Sequence, residues 1–228
     1  RALWQETLGE AQKGWLQGPF KTVAEVEKVL GTTCVVSRRF PLQQGEKMRS
    51  IDDLSESGIN KCFGSQDKIE LLDVDSISAT VRLIAEIVEA QSVSITLRDG
   101  SIVTGEPHPT WDDGCRAWRG KTIDLKAAYK QLIVKESARW SSVIVLHDPG
   151  SNAPVLFIQN TLPFGATSSV LQFNRIARAL WWLGTVMFRL CWLNFFDDFP
   201  VLEPLQTVSP VSHLGKAFLK YLGWLVSD

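Results

Sequence analysis

Cysteine and histidine are scarce in this chain: 228 residues carry four cysteines (Cys34, Cys62, Cys115 and Cys191) and three histidines (His108, His147 and His213). The cysteines lie far apart and form no C-x-x-C pair, so the sequence makes no case for zinc; reduced thiols in an intracellular protein are expected. The histidines have no partner pattern that points to catalysis and read as structural. Long apolar runs are missing too. The most apolar stretch, Ile176 to Phe196, is broken by Arg178 and Arg189, and its longest charge-free run is the ten residues Ala179 to Phe188. That run is too short to span a bilayer, so no membrane partner is expected. No charged-then-apolar leader, internal repeat or low-complexity linker is visible, and the expected location is intracellular, in cytoplasm or nucleus.

An excess of one charge is also lacking. The net charge is −1, unlike that of a typical nucleic-acid binder, but its distribution is uneven. Residues 1–50 carry 8 basic and 5 acidic side chains, residues 51–120 carry 6 and 13, and residues 121–228 carry 10 and 7. The acidic middle block, with Asp67, Glu70, Asp73 and Asp75, would repel phosphate. Arg38-Arg39, Lys47 with Arg49, and Lys121, Lys126 and Lys130 are the candidates for phosphate contact, with a plain solvated face as the alternative for Lys126 and Lys130. At 45% hydrophobic content the chain can bury a real core. Most of its nine tryptophans sit at helical spacing or beside apolar neighbours, which favours packing over base stacking.

What is present is acidic. Phe195-Phe196-Asp197-Asp198 sets two adjacent carboxylates at an otherwise hydrophobic turn, where desolvation is costly unless a doubly charged cation compensates. Arg189 to Phe196 reads as an eight-residue strand and Phe199 to Leu202 as a short return strand, kept short or at an edge by Pro200. The aspartates would then occupy a hairpin tip. Asp124 is a third carboxylate upstream. Of the other acidic pairs, Asp112-Asp113 reads as a turn before Gly114, and Asp52-Asp53 as a salt-bridging pair beside Lys47 and Arg49. Leu162-Pro163-Phe164-Gly165 is a turn into a helix capped by Ser168 or Ser169, with Val170, Phe173, Ile176, Ala177 and Leu180 at helical spacing.

The remaining pattern predicts helices over Leu3–Leu16 (ending near Gly14 or Gly18-Pro19), Val23–Leu30, Ile77–Ala90 (Val81, Ile84, Ala85 and Val88 on one face) and Ser212–Leu222. Strands are predicted at Cys34–Phe40 and Arg49–Leu54, around the turn Gln43–Glu46. Hairpins follow at Val93–Leu97 with Ser101–Thr104, and at Val143–Leu146 with Val155–Gln159.

Taken in order, Asp124 with Tyr129 five residues on, Leu162-Pro163-Phe164-Gly165, and aromatic-x-Asp-Asp at Phe195 to Asp198 resemble the motifs of reverse transcriptases. Lys47 to Leu54 followed by Asn60-Lys61 is similar to the fingers segment of that family, so the resemblance runs from about 47 to 200. Phe164, where the retroviral form usually carries Gln, resembles the retrotransposon type. Phe195 stands where Tyr is commonest.

The resemblance implies an α+β fold with polymerase right-hand fingers and palm, the palm an antiparallel sheet backed by helices. Fingers would be residues 1–100 and 132–161, palm 101–131 and 162–228. It implies an RNA-directed DNA polymerase that adds deoxynucleotides to a primer 3′-hydroxyl, with an RNA or DNA template and deoxynucleoside triphosphates as partners. Asp124, Asp197 and Asp198, with the Leu125 carbonyl, would hold two Mg²⁺ ions, or Mn²⁺ in their place. Lys47 and Arg49 would take the triphosphate. Tyr129 would exclude a ribose 2′-hydroxyl, its alternative being a core aromatic, and Phe164 and Gly165 would lie near the incoming base. Tyr221 to Ser227 resembles the end of the next palm motif, whose lysine would fall beyond Asp228. Primer grip, thumb and RNase H regions are accordingly expected elsewhere in a longer retroelement polyprotein. Two rivals stand beside this: an RNA-dependent RNA polymerase, against which Tyr129 and Phe196 argue, and an inactive retroelement remnant that binds nucleic acid.

Overall fold

The computed structural model describes residues 1–64, 68–107 and 117–227; Asp67, His108, Asp112, Asp113 and Cys115, with the expectations attached to them, lie outside the described residues. In chain order the elements are α1 (Ala2–Gln12), β1 (Leu16–Phe20), α2 (Val23–Leu30), β2 (Val36–Gln44), β3 (Lys47–Asp53), α3 (Ile59–Cys62) and α4 (Val74–Ala90). Then come β4 (Val93–Thr96), β5 (Ile102–Gly105), β6 (Trp118–Asp124), β7 (Val143–Asp148), β8 (Ala153–Gln159), α5 (Thr167–Phe188), β9 (Asp198–Pro204) and α6 (Val208–Tyr221). The class is α+β. The chain divides into two compact units, residues 1–68 with 127–175 and residues 69–126 with 176–228. Among the described residues no helix is long and apolar enough to cross a membrane.

The first unit is built on a five-stranded sheet in the order β1-β8-β7-β2-β3. All its pairings are antiparallel except β2 with β7. β7 and β8 are the most hydrophobic strands, and both faces are covered, as a near-continuous apolar strand requires. Ile144, Leu146, Val155 and Phe157 pack with Leu3, Trp4 and Leu8 of α1. Val143, Leu156 and Ile158 pack with Val26 and Leu30 of α2. α2 spans the predicted residues because Thr22 accepts the Glu25 N–H and Gly31, at φ 69°, ends the helix. Of the two stops expected for the first helix, the earlier one, near Gly14, is used, so the helix is shorter than Leu3–Leu16. Gly14 (φ 75°) turns the chain out of the helix after Gln12, and Leu16 to Phe20 becomes the strand that pairs with β8.

In the second unit β4 and β5 form the expected hairpin, and β6 pairs with β9 as an antiparallel ribbon. Ile123 and Phe199 face each other in register and are fully buried. α6 crosses close to this face at Gly215, where a Cβ would meet Ile123 Cδ1 at 2.7 Å. α4 starts at Val74 because Asp73 caps the N–H groups of Asp75 and Ser76; it buries Ile84 and Val88 but leaves Val81 and Ala85 exposed. α6 also begins earlier than expected, at Val208.

The arm before the paired aspartates is not the expected eight-residue strand. It makes only the isolated bridges Trp192↔Val201 and Phe195↔Asp198. Leu193 donates to the Pro200 carbonyl at 2.8 Å, and Pro200 has no N–H to return the bond. On the other side Pro200 faces Thr122, in a position of the β6–β9 ladder that needs no N–H. β9 is therefore longer than expected, seven residues from Asp198 to Pro204, and Pro200 interrupts the arm instead.

Candidate active site

The alternation of the β6–β9 ribbon sorts its side chains. With Ile123 and Phe199 turned into the core, their neighbours Asp124 and Asp198 project from the opposite face, directly across from each other in register. Asp198 exchanges both backbone hydrogen bonds with Phe195, at 2.9 and 3.0 Å, so its pairing with Asp124 is the non-hydrogen-bonded kind that brings side chains closest. Phe196 and Asp197 form the two-residue tip. Phe196 sits at φ 52°, a left-handed conformation rare for a bulky residue, and its carbonyl accepts from the Asn194 side chain at 2.8 Å. The Leu125 N–H donates to the Asp197 carbonyl at 3.4 Å, and its buried side chain leaves only backbone to offer a ligand. The Asp124 carboxylate accepts from Ser227 Oγ at 2.8 Å, while its carbonyl accepts the Ser227 N–H.

Like charges directly opposite on adjacent strands destabilise a sheet. Burial, then the carboxylates of Asp197 and Asp124, push the Asp198 carboxyl above its ordinary range. A hard divalent cation would reverse that penalty, and an all-oxygen donor set of three carboxylates suits Mg²⁺ or Mn²⁺. Among the described residues, no three His, Cys, Asp or Glu side chains form a ready-made metal cage. The residues fit such an ion by type, and the ribbon register sets Asp124 opposite Asp198, with Asp124 held by Ser227.

A second cluster lies in the first unit. Phe164 is packed edge-on by Tyr129, at 5.8 Å between ring centroids, and the Arg49 guanidinium lies 6.0 Å from the Phe164 ring. Tyr129 also rests on Phe173 at 4.9 Å. The turn that carries Phe164 is laid against β3: the Asp52 N–H donates to the Phe164 carbonyl at 3.0 Å. Gly165 follows at φ 123°, where any Cβ would collide with the Asp52 carbonyl oxygen. The first turn of α5 is capped neither by Ser168 nor by Ser169. The helix begins at Thr167, and Asn60 takes the Thr167 N–H at 2.9 Å while donating to the Gly165 carbonyl at 3.0 Å. Lys47 opens β3 opposite Gln44. Five residues expected near a nucleotide (Lys47, Arg49, Tyr129, Phe164 and Gly165) thus belong to one unit, and the carboxylates with Leu125 to the other.

Three charge assignments change. Arg39 is no phosphate contact: buried, it forks onto Asp52 at 2.7 and 3.2 Å and reaches Glu10 at 2.7 Å. Asp52 and Asp53 do form ion pairs, with Arg39 and Arg38 across the β2–β3 register. Lys130, neither a solvated face nor a phosphate contact, lies 3.2 Å from Glu10. The signal was in the turn. A two-residue loop at Gly45-Glu46 pairs Gln44 with Lys47, and counting back from it sets Arg39 opposite Asp52.

A comparison with protein-family descriptions finds no match for the chain, and a search of curated protein sequences finds none either.

Proposed function

We propose that this chain is the fingers-and-palm part of an RNA-directed DNA polymerase of retrotransposon type, extending a primer with deoxynucleotides. The observation that carries the reading is Asp124 set opposite Asp198, the residue that follows the Phe196-Asp197 hairpin tip, in a chain whose motif order resembles reverse transcriptases. Asp124, Asp197, Asp198 and the Leu125 carbonyl are the groups that would hold two Mg²⁺ ions. When bound, such ions supply charge neutralisation for phosphoryl transfer and a more acidic primer hydroxyl. The chain's own contribution is placement: the β6–β9 register and the buried Ile123 and Phe199 keep Asp124 and Asp198 on one face. Arg49 offers a fork to a triphosphate, Lys47 a point charge. Tyr129, wedged between Phe164 and Phe173, has a ring that resists displacement, as a steric gate against a 2′-hydroxyl must. A rigid aromatic at that place favours deoxynucleotides over the ribonucleotides of the rival RNA polymerase. The fold class is α+β, and its assignment to fingers and palm belongs to this proposal.

The test is Mg²⁺-dependent extension of a DNA primer on an RNA template by the protein that contains this chain. Asp124→Asn and Asp198→Asn are each expected to lower kcat by at least about a hundredfold. Extension that survives Asp198→Asn, or a wild-type protein that incorporates only ribonucleotides, overturns the reading.

A further inference from the structure

Four charged side chains are buried together in the first unit and form a single file. The side chains of Asp52 and Arg39 are 0% and 1% exposed, those of Glu10 and Lys130 10% and 11%. Arg39 joins the two carboxylates, forking onto Asp52 and donating to Glu10, with a long contact at 3.4 Å to Thr7 Oγ1. Lys130 closes the far end on the other Glu10 oxygen. Two acids and two bases balance. Replacing such a buried set by hydrophobic residues is often neutral or stabilising, so its presence calls for a reason other than fold stability.

The two ends of the file supply one. Asp52, at one end, holds the Phe164 carbonyl through its N–H, and its own carbonyl is the surface on which Gly165 rests. Lys130, at the other end, is the neighbour of Tyr129 in the short 3₁₀ turn Ala128–Gln131, which Ala127 enters at φ 52°. Tyr129 and Phe164 are in ring contact. The file and the ring pair therefore close a loop: Asp52 to Arg39 to Glu10 to Lys130, then Tyr129 to Phe164 and back to Asp52.

We propose that the Asp52–Arg39–Glu10–Lys130 file is a positioning device that fixes Tyr129 against Phe164, and that Lys130 and Glu10 thereby set sugar selection; this rests on the polymerase reading above. Neither residue touches the nucleotide. Each acts through the ring it anchors, and a small displacement of a positioned group is enough to change rates by large factors.

The test uses the active protein that contains this chain, labelled with ¹³C at tyrosine. The Tyr129 signals are those lost in Tyr129→Phe, and Tyr221, 89% exposed, provides an internal reference. Lys130→Met is expected to move the Tyr129 ring signals, to leave those of Tyr221 in place, and to change the deoxy-to-ribonucleotide ratio of kcat/KM by roughly tenfold. Lys130→Arg is expected to restore both. If Lys130→Met does not fold, the charge-matched pair Glu10→Gln with Lys130→Met leaves Arg39 and Asp52 as a balanced couple and gives the same readouts. Tyr129 signals that stay in place in a folded variant overturn the proposal and reduce the file to a staple of the fold. An unchanged ratio in Lys130→Met, where Tyr129→Val changes it, overturns the role in sugar selection. If Tyr129→Val also leaves the ratio unchanged, the reading of Tyr129 as a gate fails, and moved ring signals still support the positioning.

Discussion

Charge placement at single residues is where this chain departs most from a generic α+β protein. Asp124 and Asp198 are held face to face, a destabilising arrangement without a cation, whereas Glu10 is compensated from two sides. Burial raises the Glu10 carboxyl, but Arg39 and then Lys130 outweigh it, leaving the group below its ordinary value of about 4.3. A group held low in the folded chain binds its proton less readily there than in the unfolded one. Its contribution to stability is therefore complete above the ordinary glutamate value and lost as pH falls through the lowered one. Thermal melts of wild type and Glu10→Gln should differ most at neutral pH and converge below about pH 4. A gap that persists unchanged to pH 3 would show that Glu10 acts by packing alone. Residue roles were unevenly legible. Asp124, Asp197 and Asp198 stand out as acids in apolar surroundings, but Arg39 looks like any surface arginine until a strand register is chosen. Nothing in the sequence ties Glu10 or Lys130 to it, because Glu10 lies 29 residues away and Lys130 comes from the other chain segment.

Elements form where local signals and tertiary packing agree, and shift where they do not. α2 has both its cap and its stop within the sequence window and falls where it is expected. α5 has its cap elsewhere: Asn60 serves the Thr167 N–H from α3, so nothing near the helix start announces it, and two serines nearby mislead. Asn60→Ala removes that acceptor and a second bond to Gly165. It is expected to cost about 1–2 kcal/mol, seen as a lower urea midpoint with unchanged slope. Full stability in the variant would mean that water replaces the cap at no cost. The arm from Arg189 to Phe196 has strand composition, yet a single proline on its partner denies it a continuous ladder. Pro200 carries that information, but only the observed register shows which neighbour loses the bond.

At the scale of the whole molecule, each unit draws on two separated segments. A chain starting at Ile69 keeps every residue of the second unit but deprives β7 and β8 of the strands β1 and β2. Those two strands are apolar on both faces, so the shortened chain is expected to associate and to lose a single cooperative melt. A monomeric peak on size exclusion with an intact melt would contradict this. Hydrophobic period reports elements and not which distant ones share a core, so the expectation of interleaved segments came from the motif resemblance alone. The interleaving also has a topological consequence. The chain passes from one unit to the other at Lys68–Ile69, at Lys126–Ala127 and at Arg175–Ile176. One protease nick at any of these passages leaves the two halves still tethered by the other two, and one genetic crossover there cannot exchange a complete unit for another.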